Sequence, residues 1–207
     1  MFYDALENRH GLRHDPFKAL VSPRPVGWVS TLGRNGVVNL APYSFFAAIS
    51  EKPAYVMFAA SGSKDTRRNA EETGEFVCSV ATYGLREKMN LTAARLPPES
   101  SEFIHAGLTP AASHFVKPPR VAESPAALEC RYWKTIELPA VTPNDKPHAV
   151  VIGLVVGIHI EDNYIRDGIV ITDLMRPIAR LGYRDYAWIG ADNMFSMASP
   201  PSPDTTG

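Results

Sequence analysis

What constrains this chain most is a succession of short β signals divided by turn chemistry. Pro25 to Leu32 (PVGWVSTL) reads as a strand, Gly33-Arg34-Asn35-Gly36 as a turn, and Val37 to Ala41 as the returning strand, together a hairpin with an Asn-Gly turn. Ala54 to Ala60 (AYVMFAA) has the length and composition of a buried strand. A helix from Lys64 to Thr73 is expected next, ending at Gly74, then a strand at Phe76 to Ala81 and a second helix over Gly84 to Ala94. Strands resume at Ala126 to Leu138, where Ala126, Leu128, Cys130, Tyr132 and Ile136 alternate against Glu129, Arg131 and Glu137. Many short strands with few helices leave sheet edges that must be closed or covered. The expectation is a mainly β, closed or nearly closed antiparallel barrel with a few peripheral helices.

Length and charge limit the rest. The 207 residues fit one domain, here 1–194, followed by a loose tail from Phe195 (FSMASPPSPDTTG). The proline-rich stretch from Leu96 to Pro125 has little periodicity and reads as a long surface excursion, not a second domain. A net charge of −1 points to neither nucleic acid nor an anionic membrane as a partner. The two cysteines, Cys78 and Cys130, each lie in an apolar run and read as buried thiols of a reducing compartment. The charged N-terminus has no signal-peptide core, and the longest apolar run, Val150 to Ile160, is too short to cross a bilayer as a helix. A soluble, cytoplasmic protein is expected.

That run, VVIGLVVGIHI, has one face of Val150, Ile152, Leu154, Val156, Ile158 and Ile160. The other carries Val151, Gly153, Val155, Gly157 and His159. Two glycines lower that face. Either a barrel corner needs them beside a satisfied histidine, or a ligand approaches there.

SGSKDTRRNAEETGEF, Ser61 to Phe76, gathers hydroxyls and an ammonium at the opening of a helix. Unpaired N–H groups and the helix dipole make such openings anion sites, although on this stretch alone the plainer reading is an ordinary N-cap at Ser63. Other chemistries are lacking: there is no G-x-G-x-x-G after a strand, no Walker loop, no C-x-x-C, no H-E-x-x-H and no G-x-S-x-G. His10 and His14 have helical spacing but no third ligand nearby. With no nucleophile or acid–base pair in view, any catalysis would belong to a bound cofactor.

Three segments then take on a joint meaning: SPRPVGWVSTLGRNGVVNLAPYSFFAAISEKPAYVMFAA (Ser22 to Ala60), SKDTRRNAEETGEFVCSVAT (Ser63 to Thr82) and RPIARLGYRDYAWIG (Arg176 to Gly190). Together they resemble the flavin reductase-like family over roughly Phe17 to Gly190. The resemblance implies an FMN-binding split β-barrel, usually a homodimer with the flavin near the interface. It implies a phosphate held by Ser61, Ser63, Lys64 and Thr66, with Asp65 orienting the loop. Asn39 to Phe46 would lie along the isoalloxazine ring, with Asn39, Ala41, Pro42, Tyr43 and Ser44 beside it. Ser30 and Thr31 would help with ribityl or phosphate oxygens, and Trp28 would either shield the ring or pack in the core. His159 and Tyr183 have looser counterparts in the family.

By the same resemblance NADH or NADPH would deliver a hydride to the flavin, and the electrons would pass to a partner monooxygenase or another acceptor. Leu96 to Pro119 is the candidate lid, by length alone. Two other readings stay open: a flavoredoxin-like FMN electron carrier without nicotinamide activity, and a flavin-dependent small-molecule oxidase.

Overall fold

The computed structural model describes residues 1–62, 64–97, 99–142 and 145–200. A seven-stranded antiparallel sheet organises them. Its strands are β1 (Gly27–Leu32), β2 (Val38–Tyr43), β3 (Phe46–Glu51), β4 (Ala54–Ser61), β5 (Glu75–Val80), β6 (Ala126–Leu138) and β7 (His148–Ile160). They lie in the spatial order β2-β1-β5-β6-β7-β4-β3. The end strands β2 and β3 are sequence neighbours joined only by Ser44 and Phe45, so the sheet must curl until its ends meet. A seam remains there, and the link itself is held to β4, where the Ala59 N–H donates to the Phe45 carbonyl (2.8 Å).

The first hairpin follows the sequence. Gly36 takes φ +80°, which its missing Cβ allows, and the turn closes with Gly36 N–H donating to Gly33 O and Gly33 N–H to Val37 O, each at 2.9 Å. The expected strand from Pro25 is divided: Arg24–Pro25 belongs to a separate three-stranded sheet with β8 (Ile178–Arg180) and β9 (Tyr186–Trp188). β2 runs two residues past the expected Ala41, through Pro42, and this is tolerated because β2 is an end strand.

Three helices matter for the site: α1 (Asp65–Thr73), α2 (Arg86–Leu91) and α3 (Glu102–His105). Gly74 ends α1 in the left-handed conformation, as its position predicts. α2 is shorter than the predicted helix. The Thr92 hydroxyl at its end donates to Met89 O (2.7 Å) and accepts from Trp28 Nε1 (2.9 Å), fixing the chain where the helix stops.

Inside the barrel Val29, Val56, Phe58, Phe76 and Val151 pack with the free thiols Cys78 and Cys130. A second cluster, with Trp28, Leu40, Met89, Phe103, Val121 and Ile178, lies beneath the helices.

The predicted faces of β6 and β7 need correction. Between the pairs Ile152↔Lys134 and Gly153↔Tyr132 the register shifts, leaving Trp133 as an extra residue. A bulge reverses the inside–outside parity beyond it, so Ile136 is exposed although Tyr132 is partly buried. Glu129, expected outward, is 2 % exposed. Its carboxylate accepts the backbone N–H groups of His114 (2.9 Å) and Phe115 (2.6 Å).

The glycines of β7 make room for aromatic side chains. A Cβ on Gly153 would stand 2.3 Å from Phe76 Cζ, and one on Gly157 2.7 Å from Phe115 Cδ2. The excursion is likewise tied down. Lys117 N–H donates to Glu75 (2.9 Å), Val121 N–H donates to Ser79 Oγ (3.1 Å), and Ser30 Oγ donates to Pro119 O. These bonds fix the end of the excursion, whereas Leu96 and Glu102, near its start, line the cleft described below. Among the described residues no helix is long and apolar enough to cross a membrane.

Candidate functional site

The link from β4 to α1 is built by local backbone chemistry. Ser61 ends β4 opposite His148, and Gly62, at φ +67°, turns the chain while its N–H donates to Pro147 O (2.9 Å). Lys64 then takes the cap position in extended conformation, with no bond from its side chain to the helix. Ser63, the cap expected from the sequence, lies outside the described residues. Asp65 is ion-paired with Arg68. Thr66 is buried and accepts Asn39 Nδ2 at 2.8 Å, which joins the helix to β2.

This link forms one wall of a cleft of about 640 Å³. The opposite wall is β2, through Asn39, Ala41, Pro42 and Tyr43. Thr92 to Leu96, Glu102 of α3, and Lys146-Pro147 before β7 complete it. Three cations, Lys64, Arg95 and Lys146, thus face two acids, Asp65 and Glu102. Among the described residues none of the three cations is in an ion pair.

Tyr43 is the unusual member. The side chain is 5 % exposed, its ring packs 4.8 Å from Phe58, and Lys64 Nζ stands 5.5 Å from the ring centre. Its hydroxyl is buried and has no hydrogen-bond partner among the described residues; Thr66 Oγ1 approaches it outside hydrogen-bond geometry. Burial pushes the phenol up to about 12, with the nearby acids Asp65 and Glu102 adding to the rise, so near neutrality it remains a proton donor.

Glu102 has a defined partner. Its Oε2 accepts the Leu40 N–H at 2.9 Å, and burial nevertheless raises its pKa, because desolvation outweighs that bond. The Leu40 N–H is turned away from the β1 ladder. By alternation the next residue facing that way is Pro42, which has no N–H to offer. The open edge of β2 therefore presents carbonyl acceptors to its surroundings.

A cleft of this size, with a cationic helix opening and a buried unpaired hydroxyl, matches a ligand site rather than a solvated groove. The sequence model of the flavin reductase like domain matches residues 20–176. The chain belongs to the flavin reductase-like family. An uncharacterised protein of Aquifex aeolicus is 38 % identical over 173 residues, covering 81 % of this chain and 85 % of its own. Among solved structures, nitrilotriacetate monooxygenase component B from Bacillus cereus superposes with a TM-score of 0.84 at 31 % identity, over 95 % of this chain and 98 % of that one. Flavoredoxin of Desulfovibrio vulgaris shares the fold, with a TM-score of 0.76 at 20 % identity over 86 % and 92 % of the two chains. The barrel with its seam is the split barrel of this flavin reductase-like family.

Of the residues that the family likeness singles out, Asn39, Ala41, Pro42 and Tyr43 meet Ser61, Lys64, Asp65 and Thr66 in the cleft. Others do not reach it. Trp28 packs in the core beneath the helices, so of its two expected roles it takes the structural one. Ser30 and Thr31 are buried and committed elsewhere, Ser30 to Pro119 O and Thr31 to Asn69 Nδ2 (3.2 Å). Ser44 sits in the bend between β2 and β3, outside the cleft walls. His159 lies at the far end of β7, bonded to Glu161 at 2.9 Å. Tyr183 is half exposed beside His14, with ring centres 5.5 Å apart.

Sequence reasoning missed Thr92 to Leu96, Glu102 and Lys146. The available signal was weak: isolated cations, Arg95 and Lys146, beside prolines in segments without periodicity.

Proposed function

We propose that this flavin reductase-like protein binds FMN in the cleft and uses NAD(P)H to reduce it. The observation that carries the reading is the buried, unpaired Tyr43 hydroxyl in the wall of a cleft whose mouth holds Lys64, Arg95 and Lys146. A phosphate dianion needs fixed N–H groups, hydroxyls and cations, and the opening of α1 with Ser61, Lys64 and Thr66 supplies that donor set. A flat heterocycle with both donors and acceptors on its edge fits the other half. Tyr43 donates there, and the outward carbonyls of β2 accept. The cleft volume of about 640 Å³ is within the range of cofactor sites.

Bound flavin would supply two-electron chemistry, taking a hydride from a reduced nicotinamide nucleotide. The work of this chain is then positional. Lys64 and Arg95 anchor the anionic end, Asn39 and Thr66 hold each other in place, and β2 with Thr92 to Leu96 excludes water from the ring. Likeness to a monooxygenase component supports delivery of the electrons to a partner monooxygenase.

A homodimer is part of the same reading. Ile49, Trp133 and Ile158, on β3, β6 and β7, are each at least half exposed, and Trp133 meets Tyr55 of β4 edge-on at 5.7 Å. A second copy covering these strands would remove that apolar surface from water.

The deciding experiment compares FMN with riboflavin by titration, then follows NADH and NADPH oxidation. FMN is expected to bind more tightly and to support turnover. Equal affinity for riboflavin would refute the phosphate assignment, and FMN binding without nicotinamide oxidation would refute the reductase. A species of 22.7 kDa in sedimentation that keeps flavin and turnover would refute the dimer.

A further inference from the structure

The small sheet of Arg24–Pro25, β8 and β9 carries positive charge that nothing in the fold balances. Arg24 and Arg180 stand directly opposite each other across two strands, and Arg180 faces Tyr186 on the third. Residues so placed share one face, where like charges oppose the pairing of the strands. Arg24 is buried, and its guanidinium donates to the carbonyls of Lys18, Val21 and Leu181. Burial and the facing Arg180 charge both lower its pKa. Arg180 donates to the Tyr183 carbonyl and the Tyr186 hydroxyl, and lies 4.5 Å from the Tyr186 ring centre. Arg176, just before β8, lies 4.1 Å from the ring centre of Trp188 and 4.7 Å from that of Tyr83. Among the described residues, none of these three arginines has a carboxylate within ion-pair distance.

The rings that hold Arg176 and Arg180 also wall a concavity of about 510 Å³. Tyr83, Tyr186 and Trp188 stand around it with Leu91 of α2, over Met89 and Ile178, which are buried. Arg176 and Arg180 do not line it; they flank it, each stacked on a ring that does. The cation that does line it, Arg86, is paired with Glu87 (3.1 Å). The concavity thus suits an apolar group, and the unbalanced charge lies at its side. Tryptophan, tyrosine and arginine dominate the binding energy of protein contacts, and stacking orders the guanidinium groups before any partner arrives.

We propose that this face docks an acidic segment of another protein, which seats an apolar side chain in the concavity and carboxylates on Arg176 and Arg180. The partner's character follows from charge complementarity: an incoming carboxylate relieves a repulsion that the fold leaves unbalanced. Docking here is independent of what the flavin-type cleft holds.

The test titrates the full-chain protein calorimetrically with a short synthetic peptide, a central Leu-Phe pair flanked on each side by aspartates and glutamates. Two control peptides carry lysines in place of the acids, or glycines in place of the Leu-Phe pair. Saturable binding of the acidic peptide is expected, weakening as salt is added, with both controls much weaker. Arg176 sits at φ +51°, which glycine adopts freely, so Arg176→Gly removes the charge without straining the backbone. Combined with Arg180→Gln, it should weaken binding by about tenfold. Leu91→Glu, at a half-exposed position, should abolish binding while leaving the unfolding midpoint near that of the parent. Absence of saturable binding, equal affinity for either control peptide, or affinity unmoved by these variants would overturn the proposal. If Leu91→Glu instead dissolves a self-association of the parent in sedimentation, the occupant is a second copy of this chain, which overturns it as well.

Discussion

Tyr43→Phe removes one oxygen atom, and its two expected effects have opposite signs. In the unliganded protein the hydroxyl is buried without a partner among the described residues. Such a group costs about 1–3 kcal/mol, so its removal should stabilise the unliganded fold by up to that amount. For a chain of 207 residues this raises the melting temperature by a few degrees, at about 2–4 °C per kcal/mol. The ring packing against Phe58 is retained, because phenylalanine fills the same space. FMN affinity should fall instead, by about 0.5–1.5 kcal/mol for one neutral hydrogen bond, or roughly two- to tenfold. Differential scanning fluorimetry of flavin-free protein gives the first quantity and flavin fluorescence titration the second. A melting temperature that fails to rise would mean that the hydroxyl is satisfied. A rise with unchanged FMN affinity would show that its partner is not flavin.

Lys64→Ala should weaken FMN binding by about 1.5–3 kcal/mol through loss of a charge-assisted contact, with little change in unliganded stability; unaltered affinity would move the phosphate elsewhere. Thr66→Ala, by contrast, should also cost the unliganded fold about 1 kcal/mol in urea unfolding, since Thr66 is buried and accepts the Asn39 amide. Gly153→Ala forces a Cβ toward Phe76 and should lower stability by about 1–3 kcal/mol, with recovery on adding Phe76→Leu. Glu102 has a raised pKa in the fold, caused by burial, so the stability linked to its neutral form is present below the ordinary carboxylate range and lost as pH rises. Glu102→Gln should therefore show a higher urea midpoint than the parent at pH 8, with the difference shrinking toward acid pH.

The parts of the fold legible in the sequence were those fixed within a few residues. Gly36 and Gly74 take the positive φ that their positions predict, and the ends of β1 and α1 follow from them. Long-range effects were not legible. The extra residue at Trp133 reverses the faces of half a strand, and nothing local marks it. β3 was missed because Phe46–Glu51 follows β2 without turn residues, and its strand character comes from pairing with β4. At the cleft, the helix opening could be read from Ser61 to Thr66 because an anion site there is a local device. Glu102, Arg95 and Lys146 come from distant segments, and only the barrel brings them to Leu40 and Pro42. Trp28 and Ser30 matched the family pattern, yet their side chains are spent on Thr92 and Pro119.

The outward edge of β2 bears on how this protein meets other chains. An end strand with free N–H groups is a template on which a foreign strand can add itself. Here one outward donor is taken by the Glu102 carboxylate and the next is deleted by Pro42. At these two positions a strand laid along this edge would find acceptors without a free donor and would have to displace a carboxylate to gain one. This half of the edge thereby disfavours β-augmentation. A chain that met this edge would have to engage these positions through side chains or loops.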